Sequence, residues 1–95
     1  MAVKIIIRRK VNKEKEAELV PLLIQLRALA TAQPGYVSGE TLRNVDHPEE
    51  YLVISTWQSV ENWKAWLSSK QRAEIQQKID TLLGEESEYN VYLYG

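Results

Sequence analysis

The chain has 95 residues, 44% hydrophobic and 26% charged, enough for one small globular domain and too few for a second. With no cysteine and one histidine, it has no disulfide, thiolate nucleophile or cysteine-based metal centre, and a purely histidine-based metal site is not expected. Twelve basic against thirteen acidic residues leave a formal charge of −1 and no general attraction for nucleic acid or an anionic membrane.

No apolar run approaches the roughly 20 residues of a membrane span, and MAVKIIIRRK is unlike a signal peptide, so a cytoplasmic protein is expected. The first strand spans Val3 to Val11. Val3, Ile5 and Ile7 point one way, and Ile6 points the other with Lys4, Arg8 and Lys10. Asn12 is expected to cap a helix from about Lys13 to Gln33, in which Leu19, Leu22, Leu23, Leu26, Leu29 and Ala30 recur at helical spacing. Pro21 inside it should bend the helix near its second turn.

Gln33-Pro34-Gly35 stops that helix, since proline disfavours helical geometry before it and glycine accepts a left-handed turn. Tyr36 to Asn44 reads as a strand, Val45 to Glu49 as a polar hairpin loop with His47 at its tip, and Tyr51 to Trp57 as the antiparallel return strand. Ser59 is a helix N-cap with Glu61 in the first turn, where negative charge suits the helix dipole. Trp63 and Trp66, three apart, share one face of the helix that follows. Ser68 and Ser69 interrupt it and recap a second piece from about Lys70 to Leu83, which buries Ile75, Ile79, Leu82 and Leu83. Gly84 ends it, and Glu88 to Tyr94 forms the last strand.

The order strand, helix, strand, strand, helix, strand predicts an α+β domain: a ferredoxin-like βαββαβ fold whose four-stranded antiparallel sheet carries its helices on one face. Ile5, Ile6, Ile7 and then Leu52, Val53, Ile54 are apolar towards both faces, yet the helices cover only one. A second copy of the chain is therefore expected on the other face, giving a homodimer that pairs sheet against sheet.

The run Gln33-Pro34-Gly35-Tyr36, the loop ending in Pro48-Glu49-Glu50-Tyr51, and Thr56-Trp57-Gln58-Ser59 through Trp66-Leu67-Ser68-Ser69 together resemble the antibiotic biosynthesis monooxygenase domain across nearly the whole chain. The resemblance implies a dimeric α+β barrel with a pocket in each subunit between sheet and helices. Cofactor-free members of that family oxidise polycyclic aromatic phenols or quinols by letting the bound substrate anion react with oxygen. Their strand tryptophan resembles Trp57 and their helix aromatic falls near Trp63, while an asparagine position falls at Val53 and an arginine position near Gln76. In the haem-degrading members the corresponding asparagine, tryptophan and histidine positions fall at Ile6, Trp66 and Gln76. Glutamine cannot replace a proximal imidazole on iron, so no haem, other cofactor or metal is expected.

The candidate substrate-binding residues are thus Trp57, Trp63, Trp66, Ile6, Val53 and Asn62. Tryptophans over an apolar sheet can stack a flat ring with about 2 to 3 kcal/mol of hydrophobic stabilisation. Stacking only binds, and an oxyanion needs cationic or hydrogen-bonding groups. Arg8, Arg43 and Gln76 are the candidate catalytic residues on that ground. Arg8 to Lys10 also reads as a solvated basic edge, and Arg43 as a cross-strand partner of Glu40 or Glu50. The expected activity is a cofactor-independent monooxygenase acting on a small aromatic phenol or quinol. The alternative is a noncatalytic dimeric module for small-molecule binding or assembly, with haem binding a third reading.

Overall fold

A computed structural model describes all residues from Met1 to Gly95. The elements follow as β1 (Val3–Lys10), α1 (Glu16–Thr31), β2 (Tyr36–Arg43), β3 (Glu50–Trp57), α2 (Val60–Leu67), α3 (Lys70–Leu83) and β4 (Glu88–Leu93), with a 3₁₀ turn at Lys13–Lys15 before α1. The strands form one antiparallel sheet in the order β2-β3-β1-β4. This is the ferredoxin-like arrangement, with its second helical layer split into α2 and α3.

Strand alternation decides which side chains face the helices. On β1 these are Val3, Ile5, Ile7 and Arg9, all buried, and on β3 they are Tyr51, Val53, Ser55 and Trp57. Two apolar clusters result. One gathers Val3, Ile5, Ile7, Trp57, Trp63 and Trp66 beneath α2, and the other gathers Val11, Leu19, Tyr51, Ile75 and Ile79 where α1 meets α3.

The serines act as expected, Ser59 Oγ accepting from the Asn62 amide at 3.1 Å and Ser69 Oγ from the Arg72 amide at 3.2 Å. Gly84 ends α3 in the left-handed region at φ 74°. Asn12 departs from expectation, because its side chain makes no capping bond. Its carbonyl instead accepts from the Lys15 amide at 2.9 Å, closing the 3₁₀ turn. The long first helix accordingly begins three residues later than expected, and α1 then runs continuously through Pro21.

The opposite face of the sheet carries no helix. There Ile6 of β1 lies directly opposite Ile54 of β3, and Leu52 lies opposite Leu42 of β2. Ile6, Leu52 and Ile54 are half-buried and Leu42 is exposed.

Candidate active site

The clusters leave a gap between the sheet and α1. It is a cavity of about 260 Å³, lined by Ile7 and Arg9 of β1, Tyr51, Val53, Ser55 and Trp57 of β3, Trp63 and Trp66 of α2, Arg72 of α3 and the inner side of α1 from Val20 to Ala30. Of α1, Leu19 alone is fully buried, and no residue of β2 is, so the two layers do not close on each other here. Gly39 contributes directly, since a Cβ built there would come within 2.5 Å of the Tyr36 hydroxyl. The missing side chain lets the Tyr36 ring meet Trp57 edge-on, with ring centres 5.4 Å apart at 87°. Trp57 meets Trp63 at 5.8 Å and Trp63 meets Tyr89 at 5.9 Å, both edge-to-face. The Trp57 indole is satisfied, its Nε1 donating to Ser55 Oγ at 3.1 Å.

Into this aromatic cavity the pleat of β1 brings a cation. Arg9 is 3% exposed. Its Nε donates to Ser87 Oγ at 3.1 Å and its Nη2 to Gln76 Oε1 at 3.2 Å. Gln76 Nε2 in turn donates to Asp80 Oδ1 at 2.8 Å and to Ser87 Oγ at 3.3 Å. No carboxylate comes within 4 Å of the guanidinium, and Nη1 has no protein partner. Burial, and secondarily the like charge of Arg72, lower the Arg9 pKa to about 10, with Asp80 acting in the opposite sense. It remains a cation at neutral pH. Arg72 is half-buried, and its pKa is lowered by burial against the raising effects of Tyr89 and Asp80. Its guanidinium carbon lies 5.9 Å from the Trp63 ring centre and 6.0 Å from that of Tyr89.

Of the nine residues singled out from sequence, Val53, Trp57, Trp63 and Trp66 line the cavity. Gln76 stands behind Arg9 and reaches the cavity only through it. The others lie elsewhere, for stated reasons. Ile6 and Arg8 sit on the helix-free face by strand alternation, where Arg8 Nε is 3.4 Å from Glu50 Oε1. Arg43 bonds the Glu16 carboxylate and the Tyr51 hydroxyl rather than Glu40 or Glu50, its guanidinium carbon 4.7 Å from the Tyr51 ring centre. Asn62 is occupied at the start of α2, its Oδ1 accepting from Ser59 Oγ at 2.6 Å, and its side chain fills the space beside Gly35. Arg9, Arg72, Tyr51 and Ser55 were not picked out from the sequence. The signal for Arg9 was present, since Val3, Ile5, Ile7 and Val11 at every second position put residue 9 on the buried face. No group of three or more His, Asp or Glu side chains is placed to hold a metal ion.

A ferredoxin-like α+β domain with an aromatic cavity under its first helix, entered by a buried arginine from the central strand, has the concave, mostly apolar geometry of small-molecule sites. Residues 2–78 match the antibiotic biosynthesis monooxygenase family, and the chain belongs to it. Among curated relatives it is 20% identical over 78 residues to protein SchA of Streptomyces halstedii and 23% identical over 79 residues to the 42.8 kDa protein in the whiE locus of Streptomyces coelicolor. These alignments take in 82% and 83% of this chain and 20% of each relative, so the chain spans about a fifth of the length of the curated relatives it matches. Among solved structures, a conserved protein from Methanosarcina mazei superposes with a TM-score of 0.91 at 20% identity, over 100% of this chain and 94% of that one. SnoaB, a cofactor-independent oxygenase from Streptomyces nogalater, superposes with a TM-score of 0.87 at 21% identity, over 99% and 93% of the two chains. At these identities the likeness is one of fold.

Proposed function

We propose that this chain is a cofactor-independent monooxygenase of a small aromatic phenol or quinol. The observation that carries the reading is the Arg9 guanidinium, a desolvated cation with an unpartnered Nη1, at the wall of a cavity lined mostly by aromatic and aliphatic side chains. The family membership supports it, as does the likeness of fold to a cofactor-independent oxygenase.

The tryptophans and Val53 hold the ring system. Arg9 stabilises the oxyanion formed when the substrate loses its proton, and desolvation strengthens that attraction. Gln76 and Ser87 keep the guanidinium in place. The electron-rich anion supplies the electrons to oxygen. A methylene next to the ring gains a C–O bond as hydroperoxide, then loses water with O–O cleavage, so that R₂CH₂ and O₂ become R₂C=O and H₂O. Arg8 and Arg43, with their partners on the far face and at the α1 edge, take no part in this scheme. Gln76 acts through Arg9, and its engaged amide presents no ligand to a haem iron.

Oxygen consumption with a panel of anthrones and reduced quinones tests the proposal. Uptake above autoxidation with at least one of them is expected, with a loss of about 100-fold in Arg9→Gln, the usual effect of removing an oxyanion donor. No turnover above background with the whole panel would leave a noncatalytic binding module.

The helix-free sheet face supports a second part of the proposal, a homodimer. Ile6, Leu42, Leu52 and Ile54 form an apolar strip down the centre of that face, and a second copy laid on it would complete the α+β barrel. No helix is long and apolar enough to cross a membrane.

A further inference from the structure

The charge on the cavity wall contrasts with that of the chain. Three arginines (Arg9, Arg27 and Arg72) and one acid (Glu40) line it, giving a local formal charge of +2 in a chain whose total is −1. Glu40 is exposed on β2, and Arg27, also exposed, donates to the Gly39 carbonyl at 3.2 Å. The two guanidinia nearest the tryptophans, Arg9 and Arg72, form no ion pair within 4 Å. Each lowers its own affinity for a proton by burial, and Arg72 adds repulsion at Arg9. Asp80, the acid that acts on both, has Oδ1 engaged by Gln76. Two cations on one cavity wall, neither in an ion pair within 4 Å and one of them almost fully buried, suit an anionic ligand.

A single phenolate oxygen satisfies one guanidinium. A carboxylate has two oxygens, is ionised at neutral pH without catalysis, and matches guanidinium donors geometrically. A volume of about 260 Å³ falls just below the roughly 300 to 1,000 Å³ usual for small-molecule sites, which favours a small ring system.

We infer that the cavity takes an aromatic hydroxy acid, its ring against Trp57, Trp63 and Trp66 and its carboxylate shared between Arg9 and Arg72. The inference deepens the substrate site proposed above and is independent of the oxygen chemistry. The shared carboxylate keeps an adjacent phenol oxygen at the cationic wall, so acid recognition and oxyanion stabilisation use the same edge of the cavity.

Calorimetric titration with 1-hydroxy-2-naphthoate and with its neutral amide, 1-hydroxy-2-naphthamide, tests it. The acid is expected to bind about tenfold or more tightly than the amide, on the scale of one charge-assisted hydrogen bond. Arg72→Gln, at a half-buried helical position, should remove most of that preference, with the helical circular dichroism of the variant checked alongside. Equal affinities for acid and amide, binding of neither compound, or a preference that survives Arg72→Gln would overturn the inference. Intact acid preference without oxygen uptake from any anthrone or quinol would instead overturn the oxygenase reading alone.

Discussion

Arg9 on β1 and Gln76 on α3 meet inside the core, guanidinium Nη2 to amide Oε1 at 3.2 Å, and the same amide passes its own donor to Asp80 at 2.8 Å. Gln76 therefore links a buried cation to a carboxylate without letting them form an ion pair. A direct pair would neutralise the guanidinium, whereas the amide holds it in place at the cavity wall without a carboxylate against it.

Replacing Gln76 by leucine removes the acceptor and strands a buried donor. A loss of about 1 to 3 kcal/mol in unfolding free energy is expected, measured by urea denaturation. Gln76→Glu should retain most of the stability by direct pairing with Arg9 while weakening the binding of 1-hydroxy-2-naphthoate, because the new carboxylate occupies the charge the ligand needs.

Arg9→Met separates function from folding. The native pKa of about 10 lies below arginine's ordinary range, so the folded chain holds this proton less tightly than the unfolded one. The charge therefore opposes folding at neutral pH, and its cost is relieved only as pH rises above about 10. Methionine removes that cost but strands the Gln76 Oε1 acceptor, so the two effects oppose each other and the urea midpoint should fall less than in Gln76→Leu, while acid binding is abolished. In the parent chain, binding should be flat through neutral pH and fall as pH passes about 10.

Two glycines share a left-handed backbone and differ in surroundings. At Gly35, φ is 84° and an added Cβ would come within 2.3 to 2.6 Å of the Asn62 side chain, whereas at Gly84, φ is 74° and nothing lies within 4 Å. Gly84→Ala should cost only the backbone term of about 1 to 2 kcal/mol. Gly35→Ala adds displacement of the side chain at the start of α2 and should lower the melting temperature visibly further.

Ile6 and Ile54 face each other at the centre of the helix-free face. Equilibrium sedimentation of the parent chain should give twice the 11.0 kDa chain mass. Ile54→Glu places a charge in that contact and should yield the monomer with its helical circular dichroism intact. A parent chain that sediments at the mass of one copy would sink the dimer.

The fold was readable because each element has its own signal. Ser59 and Ser69 cap the helices, Gly84 stops one, and two-residue alternation orders the strands. The aromatic wall was readable too, since Trp57, Trp63 and Trp66 occupy inward positions of a regular strand and helix. The polar half of the site was harder to read. Arg9 falls in a run of three basic residues that resembles a wet edge, and only the continued alternation to Val11 betrays its direction. Arg72 and the Gln76 link depend on how α3 crosses the sheet, which local sequence does not specify. Arg43 chose Glu16, an acid on α1, over two nearer in sequence because its side chain points to the helical side of the sheet.

The uneven seating of α1 has a kinetic consequence. Its first turn is fastened at the fully buried Leu19 against Ile75 and Ile79, while later turns, held by the partly buried Leu26 and Leu29, span the cavity with Val20 and Ile24 exposed. Opening free energies differ along such an element. Amide hydrogens in the later turns of α1 should exchange with solvent faster than those of α3, and a bound ligand should slow them selectively. The doorway of this protein is then the more lightly packed part of α1 that lies over the cavity.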